Sequence, residues 1–504
     1  MLATVPAATL LGVDGVAVAV EVHVARGLPA FTVVGLPDTS CRESRDRVRA
    51  ALLTSGFTWP DRRTTVNLAP TAVRKIGSSL DLAIAIGVLV ASEQLSPAAV
   101  EGRAFLGELG LDGTLRHVPG VLPLIEAIAA AEVIVPPPSV HEASLVGGHT
   151  VRCAVDLREL VDALTAEAPW RRPPEPPMHC DAAAVPELAD VRGHQVARTA
   201  LEVAAAGGHN LLMVGPPGAG KTMLAQRLVG LLPDLDDAIA LAATRVHSAA
   251  GALPLGGLVR RPPWRAPHHG TSAVAMVGGG SQRLRPGEIS LAHGGVLFLD
   301  ELGEFSAVVL DALRQPLEEG VIRIARAETR VEVPARFLLV AAMNPCPCGE
   351  GVTPSACRCT DRALERYRRR VSGPLLDRFD LRLDVHRPDP HALLHGDGVE
   401  TTAQVAVRVQ RVRALAAGRG VTTNAELTGP ALERVAPLSS EAEQLLERAL
   451  ESGRLTARGL RRVWRVARTI ADLADHTGPL AAEHLASAFH LRADPGFLLG
   501  VAGR

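Results

Sequence analysis

Apolar and polar residues alternate from Val16 to Val24 and again from Phe31 to Val34, the two-residue period of strands with one buried face. Ser44 to Leu52 and Leu82 to Val90 carry apolar residues at helical spacing and predict amphipathic helices, so the front of the chain mixes sheet with helix. The apolar opening from Met1 to Val24 is interrupted by Asp14 and Glu21 and lacks a basic start. It therefore predicts strands, not an export signal or a membrane span. Proline density between Pro169 and Met178 then breaks every period, because each ring fixes φ and removes a donor; the segment predicts an extended spacer. Strand–helix alternation occupies about 188 to 390. Past about 395 the pattern is helical, most clearly in Ala442 to Ala449 and Leu460 to Leu473. The predicted division is an N-terminal domain at 1–168, a Pro-rich linker at 169–187, an α/β core at 188–394 and a helical domain at 395–504. No internal repeat or long low-complexity tract interrupts it.

The core opens on Gly215, Pro216, Pro217, Gly218, Ala219, Gly220, Lys221 and Thr222, which match G-x-x-x-x-G-K-[ST], a phosphate-binding loop. Glycines let backbone N–H groups turn inward around phosphate oxygens. Lys221 would neutralise the β- and γ-phosphates of ATP, and the Thr222 hydroxyl would hold Mg²⁺. The flanks fit: Asn210 to Val214 predicts a short buried strand, and Met223 to Leu228 a helix whose N-terminus faces the phosphates. Composition sharpens the point. The chain has 53 Lys plus Arg, of which only Lys75 and Lys221 are lysine. Lysine persists where a compact ammonium is needed and a planar guanidinium fits poorly.

A second apolar run, Gly295 to Leu299, ends in Asp300 and Glu301. Beside a phosphate loop such a run predicts a central parallel strand, with Asp300 orienting Mg²⁺ or its water and Glu301 polarising the attacking water. A third run, Phe337 to Met343, ends in Asn344, whose side chain is placed to hold the γ-phosphate or the water. Shortly after come Cys346, Cys348, Cys357 and Cys359, two Cys-x-Cys pairs around a Gly- and Pro-containing loop. Paired thiolates closing one loop admit a structural Zn²⁺, free thiols and disulfides being the alternatives. Cys41, Cys153 and Cys180 are isolated. The thiols as a set read as those of a reducing, cytoplasmic compartment.

With 504 residues and a net charge of −1, the chain is long enough for several cores and is no polycation, so nucleic-acid contact must come from local patches. Aromatics make up 3% of the residues, which argues against base stacking as the main mode of binding. The densest basic run holds Arg362, Arg366, Arg368, Arg369 and Arg370 around Tyr367. It suits sequence-independent DNA phosphate contact, or else a solvated helix face or a subunit surface.

The core resembles AAA+ ATPases, with Asn344 in the sensor 1 position. The string Gly373 to Asp380 (GPLLDRFD) resembles the arginine-finger segment of the MCM and magnesium-chelatase branch. That likeness implies Arg378 reaches a neighbouring subunit's ATP, with Arg370 the next candidate. Leu455 to Arg461 resembles the lid's sensor 2 motif and implies that Arg458 touches nucleotide, Arg461 and Arg465 being alternatives. Phe31 to Asp38 (FTVVGLPD), Val66 to Pro70 (VNLAP), Arg265 to His269 (RAPHH) and Arg285 to His293 (RPGEISLAH) extend the resemblance over nearly the whole chain, to the YifB/ComM family of magnesium chelatase-like ATPases. The family implies an α/β protein with a Lon-protease-like N-terminal α+β domain, an AAA+ P-loop α/β core and a C-terminal helical lid. It also implies a hexameric ring acting as a DNA helicase in branch migration during DNA uptake. In this branch, insertions before the Asp300 strand enter the ring channel, which makes Trp264, His268, His269, Arg283 and Arg285 candidate DNA contacts.

Against Lon's own motif, Ser79 falls at the nucleophile position, but the segment from Gly107 to Pro123 contains no lysine partner. A serine without a base is not a nucleophile, so no peptidase activity is expected. A magnesium-chelatase motor subunit and a nucleotide-switched scaffold remain the rival readings.

Overall fold

The computed structural model describes residues 1–175, 185–252, 257–280, 284–326, 329–350, 357–395, 400–453 and 455–492. Cys180, Arg283 and the 176–184 part of the proline-rich linker lie outside the described residues. The first part is built on a mixed sheet in which Leu2–Leu11 pairs antiparallel with Asp14–Ala25, and Asp14–Ala25 antiparallel with Arg63–Ala69. Ala30–Val34 closes the far edge, parallel to Arg63–Ala69. A second, parallel sheet joins Arg103–Phe105, Glu132–Val135 and Thr150–Cys153. The helix predicted around Leu82 to Val90 spans Asp81–Ala91, and it is not amphipathic, for all its residues are buried. It lies inside the domain core, and a Cβ on Gly87 would come within 2.6 Å of Val22. Its one charge, Asp81, is met by Arg47 Nε at 2.6 Å.

The core sheet is all parallel, in the spatial order Trp264–Arg265, Val296–Leu299, Leu338–Met343, Leu211–Val214, Leu381–Asp384. The three central strands, Val296–Leu299, Leu338–Met343 and Leu211–Val214, are apolar and buried throughout, as fully buried parallel pairing requires. Register then fixes chemistry. Val214 lies level with Met343, so the phosphate loop and Asn344 leave the sheet side by side. Lid helices at Thr402–Gly418, Gly429–Val435, Ser440–Glu451, Ala457–Leu473 and Ala482–His490 share one apolar core with one face of this sheet, through Val405, Val409, Val463 and Val466 against Leu211, Met213 and Val340. The N-terminal domain docks on the core through a bidentate Glu126–Arg245 pair at 2.9 Å, a hydrogen bond from Ser248 to buried Glu142, and Val13 against Val246 and Val331.

At the lid junction His209 is wholly buried, its Nε2 2.8 Å from Thr469 Oγ1 and its Nδ1 4.0 Å from Asp380. Burial outweighs the attraction of Asp380 and pushes its pKa down to about 4. The unfolded chain, titrating near 6.5, therefore binds a proton that the folded chain refuses, and stability falls as pH drops from about 6.5 toward 4. Between pH 7 and pH 5, wild type should lose up to about 2 kcal/mol more stability than H209Q. Urea midpoints at the two pH values check this; equal losses in the two proteins would refute it.

Candidate functional site

The phosphate loop turns on Gly218 (φ +76°) and Gly220 (φ +81°), left-handed positions at which a side chain would be strained. Lys221–Leu228 then begins a helix whose first N–H groups point back toward the loop. Lys221 is buried beneath it. Its Nζ donates to the carbonyls of Gly215 (2.7 Å) and Pro216 (3.0 Å) and to Asn344 Oδ1 (3.2 Å). Burial lowers the ammonium's pKa, while Asp300 and Glu301 oppose that shift. Thr222 Oγ1 donates to Asp300 Oδ2 at 2.7 Å. Lys221, Thr222, Asp300 and Asn344, from three separate strand ends, thus meet within hydrogen-bond reach.

Glu301 caps the third side in a left-handed conformation (φ +53°) that non-glycine residues adopt only under local constraint. Its own N–H donates to Asp300 Oδ1 at 2.9 Å, and its carboxylate lies 3.1 Å from His269 Nδ1. The fold brings His269 to Glu301 because Trp264–Arg265 pairs with the Val296–Leu299 strand and delivers both segments to one sheet edge. His269 also lines a cleft of roughly 470 Å³ with Thr271, Ser272, Glu304, Phe305 and Arg370. His194, which the sequence did not single out, lies against the loop, 3.5 Å from where a Cβ on Gly220 would sit. The donor set fits Mg²⁺, since a hydroxyl and a carboxylate converge beside the loop.

Arg378 sits elsewhere. Leu381 pairs level with Leu211, at the start of the strand that Val214 ends, so Arg378 lies beyond the opposite sheet edge from its own phosphate loop. Four strand residues alone separate the two by roughly 13 Å. The guanidinium is largely buried and pairs with Glu318, not with Asp377 or Asp380. Burial first, then repulsion from Arg462, Arg458 and Arg314, holds its pKa down. Arg458 lies in the first turn of the Ala457–Leu473 helix, is exposed, and is one of the arginines whose charge acts on Arg378. Arg465 is committed to the Leu427 carbonyl at 2.7 Å.

The proposed DNA contacts divide. Trp264 is a half-buried strand residue stacked on Phe298 at 5.2 Å. Arg265 is bidentate on Glu288 at 2.6 and 2.7 Å. Arg370 is bound to the Gly303 carbonyl and to Glu304, and Arg369 to Glu365. Arg285, Arg362 and Arg366 are exposed. In the N-terminal domain Ser79 Oγ donates to the Ala8 carbonyl at 3.2 Å, while fully buried Lys75 donates to the Pro70 carbonyl.

Cys346, Cys348, Cys357 and Cys359 converge, their sulfurs all within 4.8 Å of one another. The Cys348–Cys357 and Cys357–Cys346 separations are 3.8 Å. A tetrahedron with metal–sulfur bonds of about 2.3 Å has edges of about 3.8 Å, so the set fits a thiolate-bound metal ion.

Three family models match in succession. Subunit ChlI of Mg-chelatase covers residues 20–138, magnesium chelatase subunit ChlI covers 187–393, and the ChlI C-terminal model covers 399–492. An uncharacterized protein of Mycobacterium tuberculosis is 47% identical over 93% of this chain and 94% of its own. The Haemophilus influenzae competence protein ComM is 44% identical over 98% of this chain and 97% of its own, and Escherichia coli YifB is 43% identical over 96% and 95%. Among the described residues no helix is long and apolar enough to cross a membrane. The chain belongs to the magnesium chelatase ChlI family of AAA+ ATPases, in its YifB/ComM branch.

Proposed function

We propose that this ATPase is a DNA motor of the ComM type, assembled as a homo-oligomeric ring, the hexamer expected of its family, and active as a helicase in branch migration. The observation that carries the oligomeric part is the distance between the two halves of the chemistry. Lys221, Asp300 and Asn344 cluster at one sheet edge, whereas Arg378 and Arg458 lie past the other. One copy's arginines can complete only another copy's site. A buried cation crowded by other arginines, as Arg378 is, gains most from a polyanion, and a neighbour's triphosphate is one.

Within a site, Thr222 and Asp300 would hold Mg²⁺, which supplies charge neutralisation when bound. Lys221 exchanges the Gly215 and Pro216 carbonyls for phosphate oxygens; three N–H donors on one flexible stem make that exchange easy. Glu301 leaves His269, orients water and draws off its proton as the water oxygen bonds to the γ-phosphorus and the bond from that phosphorus to the bridging oxygen breaks, ADP leaving with the electron pair. Asn344, bridging to Lys221, senses the terminal phosphate. The thiol cluster is proposed to hold structural Zn²⁺, and the compartment to be cytoplasmic. No peptidase role is proposed, since Ser79 faces the Ala8 carbonyl.

Glu301→Gln should cut ATP hydrolysis about a hundredfold or more while Mg-ATP still binds, as steady-state phosphate release and nucleotide titration would show. Arg378→Ala alone should be inactive, yet mixing it with Lys221→Ala should restore hydrolysis, because some interfaces then pair an intact loop with an intact arginine. No recovery in any ratio would exclude the shared site. A forked-duplex and Holliday-junction assay tests the motor itself; hydrolysis without strand movement would favour the scaffold reading. R362A/R366A should weaken DNA binding at all sequences and shallow the log–log salt slope by about 2.

A further inference from the structure

We propose that the four-cysteine knot is a positioning device for the nucleotide pocket, its metal occupancy setting the placement of the phosphate loop, of Asn344 and of the turn after Glu301. This rests on the ATPase reading of the pocket and on zinc as the ion held.

The knot has three arms. The first presses on the phosphate loop. Gly349, one residue past Cys348, is left-handed (φ +82°) and buried so closely on Pro217 that a Cβ would fall 2.6 Å from both Cγ and Cδ of that ring. Arg387 fastens the same corner, 3.9 Å from Glu350 and 3.5 Å from the Pro217 carbonyl. The second arm is the Leu338–Met343 strand itself, for Cys346 follows Asn344 by two residues and is buried beneath the knot. The third is the helix Asp361–Arg370, which starts two residues past Cys359 and is capped by Thr360. From it Tyr367, the only tyrosine in the chain, donates through its hydroxyl to the Asn344 carbonyl at 3.1 Å. Its ring lies flush on Gly303, where a Cβ would meet the ring at 2.4 Å, and Arg370 donates to the Gly303 carbonyl at 2.8 Å. Gly303 is two residues past Glu301.

Neither thiol pair can hold the arms alone. Cys346 and Cys348 belong to the strand end and to the corner beside the loop, whereas Cys357 and Cys359 lead into the helix. Beside the single Tyr367 bond to Asn344, an ion bound by both pairs would join these segments directly, and binding energy of that kind is structural energy. Displacing a catalytic group by an ångström costs up to about a hundredfold in rate, so the consequence should be visible in nucleotide handling before it is visible in global folding.

The test uses full-length protein purified under reducing conditions, with metal content by mass spectrometry, affinity for a fluorescent ATP analogue with Mg²⁺ and without DNA, and steady-state kinetics. Wild type should carry one zinc per chain. C357S/C359S should carry none and bind the analogue at least tenfold more weakly, with far-UV circular dichroism unchanged. G349A should keep zinc and raise Kd and KM, because the new methyl displaces Pro217. Y367F should keep zinc and affinity but lower kcat severalfold, since only the tie to Asn344 is lost. Zinc-free double variant with wild-type Kd and kcat overturns the proposal. Should that variant not fold, unchanged Kd in G349A together with unchanged kcat in Y367F overturns it. Wild type without metal removes the zinc reading, and wild type that binds no nucleotide removes the ATPase reading; loss of strand movement alone touches neither.

Discussion

Everything in the catalytic core follows from the register of one strand. Leu211–Val214 is flanked by two parallel partners, with the phosphate loop leaving one end of it and the Arg378 cluster lying beyond the other. At its C-terminal end the chain must turn immediately into glycines, because Gly215 is pressed against the Val385 carbonyl and a Cβ there would fall 2.0 Å from that oxygen. At its N-terminal end Asn210 ties the neighbours together, its side chain donating to the Arg378 carbonyl at 3.0 Å and accepting from Leu339 N–H at 2.9 Å. His209 and Asp380 then join that corner to the lid through Arg462, 2.6 Å from Asp380. A shift in this short strand would disturb the phosphate loop, Asn344 and the arginine cluster together, which is why its surroundings are dense with side chain to backbone bonds rather than apolar contact alone.

The placement of residues carried by a contiguous motif was legible in the sequence. The loop, the Asp300–Glu301 strand end and Asn344 each lie next to an apolar run, and parallel pairing of buried runs leaves few ways to place their ends. Partners joined by the fold were not legible. His269 meets Glu301 only because a two-residue strand, too short to show a period, adds to the sheet beside Val296–Leu299. The same shortness hid that Trp264 is a sheet residue stacked on Phe298. The Asp81–Ala91 helix misled for a different reason: a run of Leu, Ile, Val and Ala has enough helical period to suggest one apolar face, while burial on all sides depends on sheet and helices supplied from elsewhere in the domain.

Arginine was the hardest residue to interpret, and its abundance explains why. Where nearly every cation is Arg, a basic run no longer marks a ligand surface, because guanidinium forks also serve as internal ties to carboxylates and carbonyls. Arg370 on Gly303 and Glu304, Arg413 on the Ala205 carbonyl and Arg419 on Asp472 are all of this kind. Only the fold separates those from exposed Arg362 and Arg366.

Arg378 stands between the two kinds, and its environment sets how readily it can change partner. The guanidinium side chain is 12% exposed, but the carboxylate of Glu318 is 54% exposed. Breaking this pair leaves Glu318 in water, where a carboxylate is well solvated, and leaves Arg378 as the only group needing compensation. Three further arginines raise the cost of holding it without an anion. A triphosphate carries more charge than one carboxylate, so an incoming phosphate competes on favourable terms, and the departing Glu318 needs no new protein partner. The cluster is thus arranged to lose its internal counter-ion cheaply when a more highly charged one is presented from outside the chain.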